Sequence, residues 1–346
     1  MKKHYKEIDI VRGIAVLIVL LGHSFPDAEE GFFPAPGYKW IFDLCYSFHM
    51  AVFFAVSGFV SGRRFADERS DVPGTFIRKV KRLLIPYLFL SYASLLPKIF
   101  LNAYARNPVD ADSAWKILLG RSPDGSLWYL YILFAYSLFT QAVLFLTERL
   151  GKKGKCICVS GIAVVFYLLG EYLKLNTETT AARWLRYYIF YVIGILIFVS
   201  YEKIKDYFVP AAAAFAVLSI VILTCPFKGW KCPYLITALL GIYAVLAVSI
   251  SIEKKGKAMC RALSRCGDNS YAIYILSYYV QQFVRVFCFR YMGWAYLLVV
   301  FLEAVLGLSL TLYFAERILP KSRLLKILLI GEWPEETGKD GKENRY

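Results

Sequence analysis

Two of the three histidines lie in apolar stretches, where an imidazole could act as a proton acceptor. His23 follows Arg12 by eleven residues, and at about 100° per residue this spacing places both side chains on one face of a helix, about 16 Å apart along its axis. Imidazole titrates near neutral pH and can accept the proton of a hydroxyl nucleophile. The pair would suit a long anionic ligand that meets the arginine and delivers its reactive end to the histidine. An arginine bound to lipid phosphate and a histidine hydrogen-bonded to a neighbouring helix explain the pair equally well.

The second of these histidines, His49, lies in the next apolar stretch. A helix that returns across the membrane and ends near Gly62 places His49 about 20 Å from that end, and His23 lies about 22 Å from Ile8 by the same helical rise. Two antiparallel helices can therefore bring both imidazoles to one depth. Glu303 lies near the middle of a later apolar stretch and could orient one of the histidines. A structural hydrogen bond from a neighbouring Tyr or Ser is the alternative interpretation of this carboxylate.

Ionisable side chains inside a membrane are costly, by roughly 2.5 to 3.5 kcal/mol each, so each one is a candidate for function. Asp9 lies one helical turn before Arg12, and we count it among the candidate ligand-binding residues. Asp43, Lys98 and Arg285 lie near the ends of their apolar stretches. We expect these three to reach the membrane interface and to have no part in a site.

A basic cluster directly precedes the apolar run that begins at Leu83; it consists of Arg78, Lys79, Lys81 and Arg82. Such clusters mostly bind anionic lipid headgroups or set the topology of the chain. Arginine and lysine are also the usual partners of phosphates, so the cluster could complete a phosphate site together with Arg12. The chain has no GxxxxGK[ST] loop, which argues against an ATP-driven pump.

The elements that position these residues are apolar helices, as the composition requires. Hydrophobic residues make up 58% of the 346 positions and charged residues 19%, and the mean hydropathy is +0.49. A soluble protein could not cover such a core with polar surface. The net charge of +15 is spread over short clusters between apolar runs, which argues against a nucleic-acid partner. Eight cysteines without regular spacing indicate neither a disulfide framework nor a metal site.

A spanning helix needs about 20 mostly apolar residues. Ten stretches approach this length, which predicts an all-α, polytopic membrane helix bundle; they are Ile8–Ser24, Ile41–Val60, Leu83–Leu101, Leu127–Leu146, Cys156–Gly170, Tyr187–Tyr201, Phe208–Phe227, Tyr234–Ile252, Tyr271–Phe289 and Tyr291–Ala315. The connections between them are too short for a soluble catalytic domain. We therefore predict one transmembrane domain, residues 1–316, and a short basic tail, residues 317–346.

The distribution of cations predicts the orientation, because short Lys/Arg-rich loops stay in the cytoplasm. With the N-terminus inside, 28 Lys and Arg fall on the inner side and 12 on the outer side. We therefore predict that both termini are cytoplasmic and that the protein is a multi-pass protein of the cell membrane. The tail alternates leucines with cations, which is typical of a helix lying on the inner surface. Cys225 and Cys232 flank an outer loop, where they could be disulfide-bonded or unpaired.

Several of these residues resemble the motifs of a known family, the acyltransferase 3 family of integral membrane acyltransferases. Residues Ile8 to Ala15 followed by Leu21-Gly22-His23 resemble the signature of its first helix. Further similar stretches are Phe48 to Phe59, Phe76 to Tyr87, Leu127 to Leu130 and Ser270 to Tyr274. The chain departs from the family at three positions: Ala51 replaces a frequent proline, Lys79 replaces the first of two arginines, and Ser277 replaces a frequent histidine.

The resemblance implies an O-acyltransferase of the stand-alone, sugar O-acetylase-like branch. Such an enzyme would transfer an acyl group, in the first instance acetyl, from cytoplasmic acyl-CoA to a carbohydrate hydroxyl, with no permanently bound cofactor. His23 would act as the base or as an acyl carrier, and His49 would share the proton. The donor phosphates would be bound by Arg12, Lys79 and Arg82.

Trp128 and Tyr129 could line the acceptor site as an aromatic wall, or they could be ordinary interface aromatics. The rival interpretation of the whole set is a proton-coupled transporter or flippase for an anionic or glycan substrate, in which the histidines and Glu303 relay protons. Membrane lipids are partners in either case.

Overall fold

The computed structural model describes residues 5–25, 38–66, 72–100, 112–176, 179–205, 232–288 and 296–334, together with the single positions Val109, Ala213 and Val217. Across these residues all regular structure is helical and no strand occurs, which confirms the all-α prediction. Six of the described helical segments are long and apolar enough to cross a membrane: Ile41–Gly62, Trp128–Leu146, Lys152–Tyr172, Thr180–Ile204, Tyr234–Lys254 and Leu297–Lys321.

Thirteen helices of six residues or more are described, and we number them in chain order. They are α1 (Lys6–Ser24), α2 (Tyr38–Tyr46), α3 (His49–Ala66), α4 (Val72–Lys79), α5 (Ile85–Phe100), α6 (Ser113–Leu118), α7 (Trp128–Leu146), α8 (Lys152–Tyr172), α9 (Thr180–Ile204), α10 (Cys232–Lys255), α11 (Lys257–Asp268), α12 (Ser270–Phe287) and α13 (Tyr296–Tyr313). Nine of the ten predicted stretches overlap these helices. The tenth, Phe208–Phe227, falls almost entirely outside the described residues, as do Cys225 and the side chain of Cys232. Ten spans and two cytoplasmic termini therefore stay predictions.

The chain divides into two compact units. Unit 1 consists of residues 1–56 and 200–318, and unit 2 consists of residues 57–199 and 319–346. The proposed domain boundary at residue 316 is a prediction that this division does not address.

Helix α1 is the centre of unit 1, where it packs against α2 and α10 to α13. Its crossing with α11 depends on two glycines, because a methyl group on Gly13 would overlap the backbone of Leu263 and one on Gly267 would overlap the carbonyl of Asp9. Two helices can approach this closely only where both lack side chains at the crossing. This close crossing fixes the position of the α1 backbone around Asp9 and Arg12 relative to α11.

The second predicted stretch is broken at Ser47 and Phe48, which separate α2 from α3. Helix α10 supports the break, since the Thr237 hydroxyl donates a hydrogen bond to the carbonyl of Ser47 at 3.3 Å. The ring of Phe48 lies directly against Gly241, where any side chain would overlap it. The first residue of α3, His49, is therefore positioned by contacts with another helix.

In unit 2 the basic cluster is part of a continuous helical rod. Helix α4 leads into a π-helical turn, Val80–Leu84, which leads into α5. A second π-helical turn, Lys326–Ile330, follows the short helix Arg323–Leu325 and packs against α5 and the first turn. A core of aromatic rings joins α7 to α9, and within it the Tyr136 hydroxyl donates to the carbonyls of Arg183 and Trp184.

Candidate active site around two histidines

The structure places His23 and His49 in contact with one aromatic ring in unit 1, that of Tyr46. His23 lies in the last turn of α1, and its ring meets the ring of Tyr46 edge-on with centroids 6.2 Å apart. Tyr46 in turn meets His49 edge-on at 4.9 Å. Tyr278 of α12 approaches His23 from another side at 5.8 Å. The two imidazoles therefore share one aromatic cluster, and their equal depth in the membrane stays a prediction.

A hydrogen bond fixes the tautomer of His49. Its Nδ1 lies 2.8 Å from the carbonyl oxygen of Cys45, and because a carbonyl can only accept, Nδ1 must carry the proton. In the neutral ring Nε2 is then the unprotonated nitrogen and can accept a proton. His49 is buried at 7% exposure, whereas His23 is partly exposed. His23 is therefore the more accessible of the two imidazoles, and His49 is a buried acceptor near the same tyrosine.

The end of α1 that carries His23 is held by a buried ion pair. Arg285 of α12 donates through Nη2 to the carbonyl of His23 at 2.6 Å. The same guanidinium forms two parallel bonds to the Glu303 carboxylate of α13, Nε to Oε1 at 3.0 Å and Nη2 to Oε2 at 2.6 Å. Glu303 is completely buried and Arg285 is 7% exposed. The expectation that Arg285 reaches the membrane interface is therefore wrong, because its head group is directed inward to a carboxylate.

Glu303 is connected to His23 through Arg285. The carboxylate bonds to the guanidinium, and the guanidinium bonds to the histidine backbone. A role for Glu303 in orienting a histidine stays a prediction. Glu303 would act on His23 through Arg285, which bonds to the backbone carbonyl of His23 and not to its ring.

Gln281, one turn before Arg285 on the same helix, supports the same end of α1. Its Nε2 donates to the carbonyl of Leu20 at 2.7 Å and to the hydroxyl of Ser24 at 2.8 Å. The last carbonyls of a helix lack partners within the helix, and Arg285 supplies a donor to one of them, that of His23. The carbonyl of Leu20, which also accepts from the Ser24 hydroxyl within α1, receives a further donor from Gln281. The side chains of α12 therefore determine where the last turn of α1, and with it His23, is placed.

The other polar group of α1 lies toward its beginning. Arg12 donates through Nη2 to the hydroxyl of Ser270 at 3.3 Å, and its Nη1 lies 3.8 Å from Oδ1 of Asp9. Asp9 is buried and Arg12 is partly exposed. Since Arg12 pairs with the start of α12 and His23 with its later part, α1 and α12 run parallel, and both residues lie along the face that meets α12.

The remaining predicted site residues belong to unit 2. Arg78 is exposed and donates to Thr75 Oγ1 at 3.2 Å, whereas Lys79, directly before the first π-helical turn, and Arg82, within it, are partly buried. π-Helical turns inside α-helices are frequent at functional sites. The predicted phosphate site that joins Arg12 to these cations stays a prediction.

The two aromatic candidates have different environments. Tyr129 is buried, and its hydroxyl is hydrogen-bonded to Ser57 Oγ at 2.7 Å. Trp128 is partly exposed, with the guanidinium of Arg183 4.6 Å from its ring centroid and the ring of Tyr187 at 5.3 Å. Tyr129 is thus tied into the packing of unit 2, and Trp128 presents a face that already binds a cation.

Sequence reasoning missed four residues of the histidine site: Tyr46, Tyr278, Gln281 and Arg285. The last three were open to detection, because their spacing of three and four residues places polar groups on one face of an otherwise apolar helix. Within the described ranges no group of three or more His, Cys, Asp or Glu side chains is placed to hold a metal ion.

Comparison with known proteins gives the same assignment as the motifs. The family model described as "Acyltransferase domain" (acyltransferase 3) matches residues 5–315. A curated relative, nodulation protein NolL of Sinorhizobium fredii (strain NBRC 101917 / NGR234), is 28% identical over 169 residues, which are 45% of this chain and 40% of the relative. The chain thus matches less than half the length of that relative. No solved structure matches the chain. The chain therefore belongs to the acyltransferase 3 family.

Proposed function

We propose that the protein is a membrane O-acyltransferase that transfers acetyl from cytoplasmic acetyl-CoA to a hydroxyl group of a cell-surface or lipid-linked carbohydrate. Membership of an acyltransferase family supports the reaction class. The observation that carries the proposal is the histidine pair: a partly exposed imidazole, His23, and a buried imidazole, His49, meet the same tyrosine ring, and Nδ1 of His49 donates to a carbonyl.

In the proposed reaction His23 is the general base. It takes the proton of the acceptor hydroxyl while the hydroxyl oxygen attacks the thioester carbonyl carbon. The new C–O ester bond forms and the C–S bond breaks, and the imidazolium then returns the proton to the departing CoA thiolate. His49 provides a second acceptor nitrogen, Nε2, near the tyrosine that His23 meets. Proton acceptance by a positioned imidazole typically contributes about 10² to 10⁴ in rate.

We propose that the donor binds through its phosphates. In unit 2, Lys79 precedes the π-helical turn Val80–Leu84 and Arg82 lies within it; Arg12 is the candidate cation of unit 1. Asp9 lies close enough to orient the Arg12 guanidinium, and its negative charge partly offsets the attraction of Arg12 for an anion. Phosphate recognition by arginine is bidentate, so Lys79 would act as a point charge beside the forked contact of Arg82.

We propose that the sugar ring of the acceptor stacks on the indole ring of Trp128. A partly exposed indole with a cation on its ring suits a sugar, which presents polar edges and apolar faces. Tyr129 would support this surface through its bond to Ser57. The compartment we propose is the cell membrane, on the basis of the cation distribution between loops.

The test is acetyl transfer by the purified protein in lipid nanodiscs, with radiolabelled acetyl-CoA and a panel of glycans. We expect the wild type to transfer label and His23→Ala to lose at least 10²-fold of the rate. Leu21→Ala, a partly exposed neighbour on the same helix turn, is the matched control and should retain the wild-type rate. A wild type that binds no acyl-CoA would contradict the proposed donor, and full transfer by His23→Ala would contradict the proposed base.

A further inference from the structure

The last described segment of the chain, residues 319–334, packs onto the basic cluster within unit 2. We call it the tail segment. Its π-helical turn Lys326–Ile330 contacts α5 and the turn Val80–Leu84, which contains Lys81 and Arg82. The tail segment was expected to lie on the membrane surface as an amphipathic helix. Leu324 is indeed exposed, but Leu319 and Leu329 are buried, so one side of the segment packs against protein.

Gly331 shows how closely the two segments meet. It ends the second π-helical turn in the left-handed conformation, with φ of 64°. A methyl group at this position would overlap the carbonyl oxygen of Lys81 and would lie 2.5 Å from Cα of Arg82. Glycine is therefore required at position 331 for two reasons: it adopts the positive φ without strain, and it has no side chain that would overlap the basic cluster. The contact fixes the backbone of the basic cluster against the tail segment.

Two residues further on, Trp333 meets the basic cluster through its side chain. The ammonium group of Lys81 lies 4.9 Å from the centroid of the indole ring, within the range of a cation–π interaction. The indole N–H is buried and has no hydrogen-bond partner among the described residues. Buried donors are nearly always paired, so an unpaired N–H beside a cation indicates a site for an acceptor that is not part of the described chain.

The acceptor that fits this place is an anion. The groups that meet here include the ammonium of Lys81 and the indole N–H of Trp333, which are both donors, and the backbone of Arg82 lies close to Gly331. Phosphate oxygens accept hydrogen bonds from ammonium and N–H groups. We infer that the tail segment completes a phosphate-binding site, in which Lys81 and the indole N–H of Trp333 bind one phosphate group next to Arg82.

The identity of the phosphate as that of the acyl donor rests on the proposed function. The same chemistry would recognise the phosphate of an anionic lipid headgroup. In either case Trp333 contacts the phosphate through its N–H and positions Lys81 through its ring. The tail segment is then a part of the binding site and not only a membrane-surface helix.

The test uses the full chain in nanodiscs and measures the binding of two probes. The first is CoA, titrated in discs of neutral lipid, and the second is an anionic phospholipid, titrated into the same discs. Trp333→Phe keeps the ring and loses the N–H, and Trp333→Leu loses both. We expect Trp333→Phe to bind one of the probes about tenfold more weakly, because it lacks the hydrogen bond from the indole N–H to the phosphate. Trp333→Leu should lose more affinity, because it lacks both this hydrogen bond and the cation–π contact with Lys81.

Trp115→Leu is the matched control, since Trp115 is an exposed tryptophan of unit 2. It should bind both probes like the wild type. Lys81→Arg, which keeps a cation over the ring, should bind the probe more tightly than Lys81→Met. This difference would show that weaker binding results from the lost charge and not from misfolding. Thermal unfolding midpoints of Trp333→Phe and the wild type should agree.

The two probes distinguish the sources of the phosphate. Weaker CoA binding by the Trp333 variants supports the site with the acyl donor as its ligand. If the wild type binds no CoA and the variants lose affinity for the anionic lipid, the site stands and the proposed donor fails. If the wild type binds CoA and both Trp333 variants bind both probes as tightly as the wild type, the inference is wrong while the proposed function survives.

Discussion

Replacing Arg285 by methionine should show what the buried ion pair does for His23. The substitution removes the two parallel bonds to Glu303 and the bond to the His23 carbonyl, and it leaves a completely buried carboxylate without this partner. Breaking a buried pair in this way costs about 3 to 5 kcal/mol of unfolding free energy. We expect Arg285→Met to be destabilised by about this amount and to lose acyl transfer.

The double variant Arg285→Met/Glu303→Met separates stability from positioning. Replacing both members of a buried pair by apolar residues of similar size is often neutral or even stabilising. The double variant still lacks the hydrogen-bond donor to the His23 carbonyl, and a buried acceptor without a partner costs about 1 to 3 kcal/mol of unfolding free energy. The double variant should therefore regain much of the stability that Arg285→Met loses, but its transfer rate should stay low because the last turn of α1 has lost this contact.

The assay has two readouts on the same purified samples. Unfolding free energies come from titration of micelle-bound protein with sodium dodecyl sulfate, and rates come from transfer of radiolabelled acetyl. Val286→Met is the matched control, because Val286 is the exposed neighbour of Arg285 on the same helix. The reasoning is refuted if Arg285→Met unfolds with the same free energy as Val286→Met. It is also refuted if the double variant recovers both stability and the full transfer rate.

Two further predictions concern packing. Gly267→Ala should cost about 1 to 3 kcal/mol and reduce the affinity for acyl-CoA, because the added methyl group pushes α11 away from the backbone of Asp9. Gly161→Ala, in open space within α8, should not destabilise the protein, since alanine favours a helix more than glycine does, and it should leave binding unchanged. Tyr129→Phe should cost about 1 kcal/mol in the same unfolding titration, since it removes one hydrogen bond to Ser57. An unchanged unfolding free energy of either Gly267→Ala or Tyr129→Phe would contradict the packing described for its unit.

The apolar helices and the face shared by Arg12 and His23 were predictable from the chain. Apolar stretches of spanning length and the helical period are local properties, and α1 runs uninterrupted from Lys6 to Ser24 as its stretch indicates. The rise per residue along two neighbouring helices also predicts equal depth for His23 and His49. The structure brings both rings to Tyr46, and their depth in a membrane stays a prediction.

The partners of the polar groups were not predictable in the same way. The position of Arg285 near the end of its apolar stretch indicated an interface residue, and only the packing of α12 against α13 reveals the carboxylate of Glu303 beside it. The break between α2 and α3 depends likewise on Gly241 and Thr237 of another helix. Such contacts join residues far apart in the chain, and local sequence patterns do not encode which helices meet.

The proposed role of His23 is tested most directly by chemical rescue. His23→Ala leaves a space for a free imidazole at the partly exposed position next to Tyr46 and Tyr278. We predict that this variant binds acetyl-CoA like the wild type, transfers no acetyl to the acceptor, and regains measurable transfer when imidazole is added at constant pH. Wild-type transfer by His23→Ala without imidazole would contradict the assignment of His23 as the base.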